Sequence, residues 1–446
     1  MSTEQQEMVQ ARLRVWQERV QAARQNDDRH AIVLALTNLA LAQFETEDYE
    51  AGITVFDEAL ALAADLDDRT VQVQVLSAQA MAYQDIKRYH TAYEAVTRIT
   101  RLADELKDTG IKCDALLTEA QILVQSGEPV IALQKLSHAR RLAEDLGDRR
   151  RQMSVAAVMG NASTASAALD DAAAYIQRAG ALAHELGDVP AEAEHLVNLG
   201  TVLKWQDRYA EAMEPFKQAL SLKGERDLPG IELIALRGLV ECYASFGDAE
   251  RVIEHSERGI TLARQQGDHK AAFALLEARA LAAFRLENAA LAHDTLKDAV
   301  ALARSIPDAD KTLDLLISLG ESYRVAGQFD AALDAYRQAL NAARQLQRAK
   351  DEAYLVGRIG VVYAEQGKSA DALRYHNKAL DLARRSDLAG LEGEQLCMLA
   401  LTYLDLNEVD LAEGCCTRAI DVYGRSQDEP GKARAQALLD ELKVLG

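Results

Sequence analysis

Hydrophobic and small residues recur along this chain every 40 residues, and within each period they fall at helical spacings. Positions 36, 76, 116, 156, 196, 236, 276, 316, 356 and 396 are Leu, except for Ala156 and Val356. Four residues later stand Ala40, Ala80, Ala120, Gly160, Gly200, Val240, Ala280, Gly320, Gly360 and Ala400. Five repeats then carry a tyrosine three residues on: Tyr83, Tyr243, Tyr323, Tyr363 and Tyr403. Spacings of three and four place each set on one helical face, and a small residue in nine of ten repeats marks the close crossing of another helix.

A second helix follows in each period. Its markers are alanines such as Ala92, Ala132, Ala172, Ala212, Ala292, Ala332, Ala372 and Ala412. A second small position comes seven residues on, as at Ala139, Ala179, Ala219, Ala339 and Ala419. Between the two lies a larger plug: Phe56, Leu136, Ile176, Phe216, Leu296 or Tyr336. The pattern therefore predicts ten helical hairpins over 29–428, an N-terminal capping helix within 1–28 and a C-terminal one within 429–446. Residues 4–27 have the phase of a second helix, with Trp16 where Phe56 stands forty residues later. Leu438, Leu439 and Leu442 would cover the last hairpin.

The punctuation is periodic as well. Asp28, Asp68, Asp108, Asp148, Asp188, Asp268, Asp308 and Asp428 share one phase, with Asp227 one residue early. Each precedes a first helix, where a carboxylate can accept from free N–H groups. Pro129, Pro190, Pro229, Pro307 and Pro430 fall in or beside connections, whereas Pro215 lies inside a helix and predicts a kink. Residues 153–174 are rich in Ala and Ser, which predicts a thin fourth repeat.

Composition agrees with packed helices: 49% hydrophobic, only 5% aromatic, six prolines. A net charge of −20 argues against nucleic acid and against an anionic membrane surface, and favours basic partners. Arg140, Arg141, Arg149, Arg150 and Arg151 are a local exception, read as a solvated helix–turn surface. No segment approaches the ~20 apolar residues that insertion in a membrane requires. The start, MSTEQQEMVQ, lacks the pattern of a signal peptide, and five irregularly spaced cysteines form neither a metal pattern nor a disulfide framework. A cytoplasmic location follows.

No catalytic residue, metal site or cofactor is expected. Gly360 through Gly367-Lys368-Ser369 has six residues between its glycines, where a phosphate loop needs four after a strand. The nine histidines form no ligand pair at helical spacing. His195, His376 and Cys416 read as packing residues, the last two at plug positions.

Leu196, Leu199, Gly200 and Leu203 followed by Ala212, Phe216 and Ala219 resemble the tetratricopeptide signature. So do Leu316, Leu319, Gly320 and Tyr323 with Ala332, Tyr336 and Ala339. The familiar unit has 34 residues; here a tail such as Leu60-Ala61-Leu62-Ala63 extends the second helix. Repeats of this length are similar to those of kinesin light chains, of Pins-type polarity proteins and of MalT-type sensors. The resemblance implies an all-α fold, a right-handed superhelical solenoid whose first helices line a concave groove. It implies a scaffold or adaptor that holds a protein or peptide there. A ligand- or peptide-sensing regulator acting in trans and a structural subunit of a larger assembly are the alternatives, and the terminal helices are the surface for self-association.

Counted from the small position, offsets −6, −3, −2, +1, +4 and +5 should face that groove. At offset +1 the middle of the chain is polar (Asn161, Thr201, Glu241). The residues expected to hold a partner are Asn161, Asn198 and Glu241 for hydrogen bonds, Lys204, Arg237, Arg285 and Arg324 for charge, and Trp205 and Phe284 for anchoring area. The related adaptors hold peptide backbone through an asparagine at offset −2, which only Asn38 and Asn198 match. Trp205 could equally pack between neighbouring first helices.

Overall fold

The computed structural model of the protein describes residues 3–222, 228–303 and 309–445. Among the described residues there are twenty-two helices and no strand. The chain is an all-α solenoid that divides into two compact units, 1–238 and 239–446. The division falls inside one helix of the sixth period, away from the Ala/Ser-rich fourth.

The first unit opens with α1 (Thr3–Gln25), then the hairpins α2 (Arg29–Glu45)/α3 (Tyr49–Asp65), α4 (Arg69–Asp85)/α5 (Tyr89–Leu106) and α6 (Thr109–Gln125)/α7 (Pro129–Asp145). Next come α8 (Arg149–Ala165)/α9 (Leu169–Leu186) and α10 (Val189–Trp205)/α11 (Tyr209–Ser221), and the unit takes in the start of α12 (Pro229–Phe246). Consecutive helices pack antiparallel, and first helices also touch directly, α2 on α4 and α6 on α8. The expected plug lies between them. Phe56, Leu136 and Phe216 are fully buried. A Cβ on Gly200 would stand 2.8 Å from the Phe216 ring, so the small position is the space the ring occupies. Trp16 is half-buried against the first core, with the Arg19 guanidinium 4.5 Å above its ring. The fourth repeat is not empty: Val155, Val158 and Met159 of α8 are buried, with Tyr175 packed on them. Helix α11 runs on to Ser221 with Pro215 buried inside it.

The second unit continues with α13 (Ala249–Gln265), α14 (His269–Arg285)/α15 (Ala289–Ala303), α16 (Ala309–Val325)/α17 (Phe329–Gln345) and α18 (Ala349–Glu365)/α19 (Ser369–Arg385). It ends with α20 (Ala389–Asp405)/α21 (Val409–Arg425) and α22 (Glu429–Leu445). The same interlock recurs: a Cβ on Gly320 would stand 2.5 Å from the Tyr336 ring, and one on Gly360 2.8 Å from His376. Cys416 is a fully buried plug, and Leu438, Leu439 and Leu442 of α22 pack on the same core.

The turns show a shorter rhythm than the sequence. Every described residue at the twenty-residue series from Asp27 to Gln427 has positive φ, whether glycine, as at Gly147 (63°), or not, as at Ala167 (60°). At every described turn the helix therefore ends in the same left-handed cap, after first and second helices alike. Asp28, Asp68, Asp108, Asp148, Asp188, Asp268 and Asp428 accept from N–H groups of the following first turn, as expected. Asp48 and Asp248 do the same for second helices, which the sequence reading missed. Asp227, Asp308 and Pro307 lie outside the described residues. Pro129 and Pro229 begin helices, and Pro190 and Pro430 are second residues.

Candidate functional site

The exposed face of the first helices is a stripe at offsets −6, +1 and +5, flanked by mostly half-buried positions at −2 and +4, of which Val158, Gly238 and Phe44 are buried and Phe284 is exposed. Offset −3 departs from expectation in three repeats, where Thr37, Val197 and Gly357 turn into the core. Helical geometry explains the difference, because −3 lies nearest the neighbouring first helix.

In the first unit, Asn161 is exposed on α8, and α10 presents Glu194, Asn198, Thr201 and Trp205 along one face. Trp205 ends α10 with 56% of its surface exposed, so it does not pack between neighbouring helices. Lys204 and Arg237 are half-buried, on α10 and α12. Two of the five clustered arginines are paired with carboxylates. Arg151 forms a two-pronged pair with Asp114 at 2.8 Å and meets Asp148 at 2.6 Å, while Arg149 approaches Glu185 at 3.7 Å.

In the second unit, Glu241 is exposed on α12, and Phe284 and Arg285 close α14 with both side chains exposed. Arg324 on α16 is held by Glu321 at 3.1 Å and by Glu365 of α18 at 2.5 Å. Arg358 of α18 also grips Glu321, with one contact at 2.6 Å. Burial opposes the charge of Glu321, but Arg358 foremost and Arg324 outweigh it and hold the carboxyl below its usual range. The guanidinium of Arg324 is thus already committed to two carboxylates. Leu281, expected on this face at offset +1, is 56% exposed, and Phe246, Leu286 and Val325, which sequence reasoning did not single out, are 57%, 44% and 68% exposed. Three of these four lie at or beside first-helix C-termini, where Ile86 and Leu406 are the other large apolar residues at the position of Phe246 and Leu286.

Segments 33–66, 193–225 and 270–345 each match models of the tetratricopeptide repeat. These segments are tetratricopeptide repeats. No curated protein matches it. Among solved structures it is similar to a signal-transduction ATPase with a tetratricopeptide-repeat sensor from Pyrococcus horikoshii, at 15% identity and TM-score 0.43. That match covers 75% of this repeat protein and 49% of the other, so the chain spans about half the length of that relative. A Rap protein complexed with competence and sporulation factor aligns at 16% identity and TM-score 0.40, covering 77% and 99% of the two chains. The apo quorum sensor NprR from B. thuringiensis aligns at 20% identity and TM-score 0.38, covering 68% and 82%.

The residues that could have passed for chemistry in this repeat protein are accounted for by the hairpins. Gly360 sits under His376, and Lys368-Ser369 is the entry to α19. His376 is buried and hydrogen-bonds Gln395 at 2.9 Å, and burial pushes its pKa down. Burial pushes the thiols of Cys113 and Cys397 up to about 11 and that of Cys416 up to about 12, so they stay protonated. Among the described residues no group of three or more His, Cys, Asp or Glu is placed to hold a metal, and no helix is long and apolar enough to cross a membrane.

Proposed function

We propose that this protein is an interaction module that holds a peptide or protein segment on the exposed face of its first helices. The observation that carries the reading is the exposure of large apolar side chains there: Trp205 in the first unit, and Leu281, Phe284 and Val325 in the second. Soluble surfaces seldom leave aromatic rings this bare, and tryptophan is enriched among interface hot spots. Asn161, Asn198, Glu241, Lys204, Arg237 and Arg285 are the polar contacts around these anchors, and Arg324 serves by shaping the face through its pairs. The net charge of −20 favours a basic partner in the cytoplasm. Helices α1 and α22 act as caps for the terminal hairpins.

The test is selection of binding peptides from a displayed random library on the immobilised protein, followed by titration. Affinity should fall at least tenfold for Trp205→Ala when the peptide uses the first unit, or for Leu281→Ala with Phe284→Ala when it uses the second. Selected peptides whose affinity is indifferent to both sets would refute the proposal.

A further inference from the structure

A cleft of about 810 Å³ lies away from the first-helix face, in the first unit, between the second helices α9 and α11 and over α10. Its origin can be read from the repeat. At the position of Gly180 other second helices carry Leu60, Ile260, Val300, Leu340 or Leu380, all buried. At the position of Ala173, seven residues earlier on the same face, they carry Ile53, Leu133, Ile253, Leu333 or Leu373. Helix α9 therefore lacks two large side chains in line, and its neighbours do not close the gap. Leu196 is half-buried, whereas Leu36, Leu76, Leu236, Leu276, Leu316 and Leu396 at the same position are buried.

A second departure falls on the same spot. His195 lines the cleft where other first helices carry Ala35, Val75, Leu275 or Leu315. It is only 8% exposed and makes no hydrogen bond, and its Cβ would be 3.5 Å from a Cβ on Gly180. Its ring nitrogens still touch solvent at the cleft, so the imidazole can offer a hydrogen bond to whatever fills the place of the missing side chain.

The cleft has an apolar middle (Ile176, Leu196, Leu199) and acidic ends. One end holds Asp170 and Glu211 beside Arg208, the other Glu185 and Glu192, with Glu214 between. Five carboxylates stand against a single arginine on the lining. Asp170 and Glu185 are fifteen residues apart on α9, so the cleft runs roughly 22 Å at 1.5 Å per residue. Such a length suits a peptide segment better than a compact small molecule.

We propose that this cleft is a docking site for a peptide segment that places one large apolar side chain over Gly180 and Ala173, hydrogen-bonds His195, and carries Lys or Arg on both sides to meet the acidic ends. On α10 the apolar cleft residues Leu196, Leu199 and Leu203 lie on the other side of the helix from Asn198 and Trp205, so this site is tested separately from the first-helix reading.

The experiment is fluorescence anisotropy with a labelled synthetic peptide whose central Leu-Phe pair is bracketed by two lysines on each side. Saturable binding is expected, weakened at least tenfold by Gly180→Leu, which leaves the charge of the protein unchanged, and several-fold by His195→Leu. Ala173→Leu supplies a second filled variant, and circular dichroism confirms that each is folded. A peptide with Ser-Ser at its centre should bind at least tenfold more weakly. Absence of saturable binding, or equal binding by folded Gly180→Leu, overturns the proposal. So does loss of a dimer on Gly180→Leu in light scattering, which would make the occupant a second copy of the chain.

Discussion

Replacing Gly180 by Leu should strengthen the first unit, an unusual outcome for a substitution inside a helix. Two effects add. Glycine in a helix interior costs about 1 kcal/mol relative to good helix formers. A leucine at this position would lie in the cleft beside Ile176, Leu196 and Leu199, as Leu340 and Leu380 lie at 8% and 3% exposure in their own repeats. Full burial of such a side chain is worth about 1.5–3 kcal/mol. The cleft stays open on one side, so about half of that applies, and the sum is roughly 2 kcal/mol. The added Cβ meets nothing closer than the His195 Cβ at 3.5 Å, ordinary contact distance, so no steric term opposes the gain. Repeat arrays need not unfold in one step, so the assay is native-state amide exchange on α9, α10 and α11. A gain of about 2 kcal/mol slows exchange roughly thirtyfold. Gly180→Ala, which adds propensity without filling, should slow it only about fivefold. Equal protection in the two variants, or faster exchange in Gly180→Leu, would show that the cleft is not a missing plug.

Ala167 ends α8 at φ 60°, where seven of the equivalent turns use glycine. An L-residue there costs about 1–2 kcal/mol, partly offset by the entropy of glycine in the unfolded chain, so Ala167→Gly should stabilise by about 1 kcal/mol; a lower urea midpoint would contradict this. Arg358→Met leaves Glu321 with Arg324 alone and should cost about 1.5–3 kcal/mol, the worth of charge-assisted hydrogen bonds. Because the pKa of Glu321 is depressed, its contribution is fully present above the ordinary carboxylate pKa and is lost as pH falls through the lowered value; acid titration of amide exchange in α16 and α18 should lose that step in Glu321→Gln. The pKa of His376 is depressed by burial, so its contribution is present above the unfolded value near 6.5 and declines as pH falls below it. His376→Phe, which places over Gly360 the ring that Phe216 places over Gly200, should flatten the pH dependence of α19 and α20 exchange between pH 7.5 and 5, and an unchanged slope would refute the assignment.

Much of the site was legible only in part. The stripe of first-helix positions followed from helical spacing, because 100° per residue is a local property. Offset −3 did not, since its burial depends on how closely the next first helix approaches. Arg324 looked like a free cation because its partner Glu365 is 41 residues away, in the following repeat. Phe246, Leu286 and Val325 escaped notice because apolar residues beside a helix end read as core until the neighbours are placed.

What the sequence by itself determined is the hairpin: its two helices, the small position, the plug at Phe56, Phe216, Tyr336 or His376, and the Asp that starts each first helix. These depend on contacts within one or two turns and on a periodicity that repetition makes unmistakable. Tertiary structure decided the rest. The described turns adopt left-handed caps every twenty residues even where the sequence offers Asp, Lys or Ala, because closing an antiparallel hairpin demands that geometry whatever residue is present. The absence of bulk at Ala173 and Gly180 became a cleft because neither α10 nor α11 moved in to fill it. Three helices must be placed together before a missing side chain can be told from a well-packed small one.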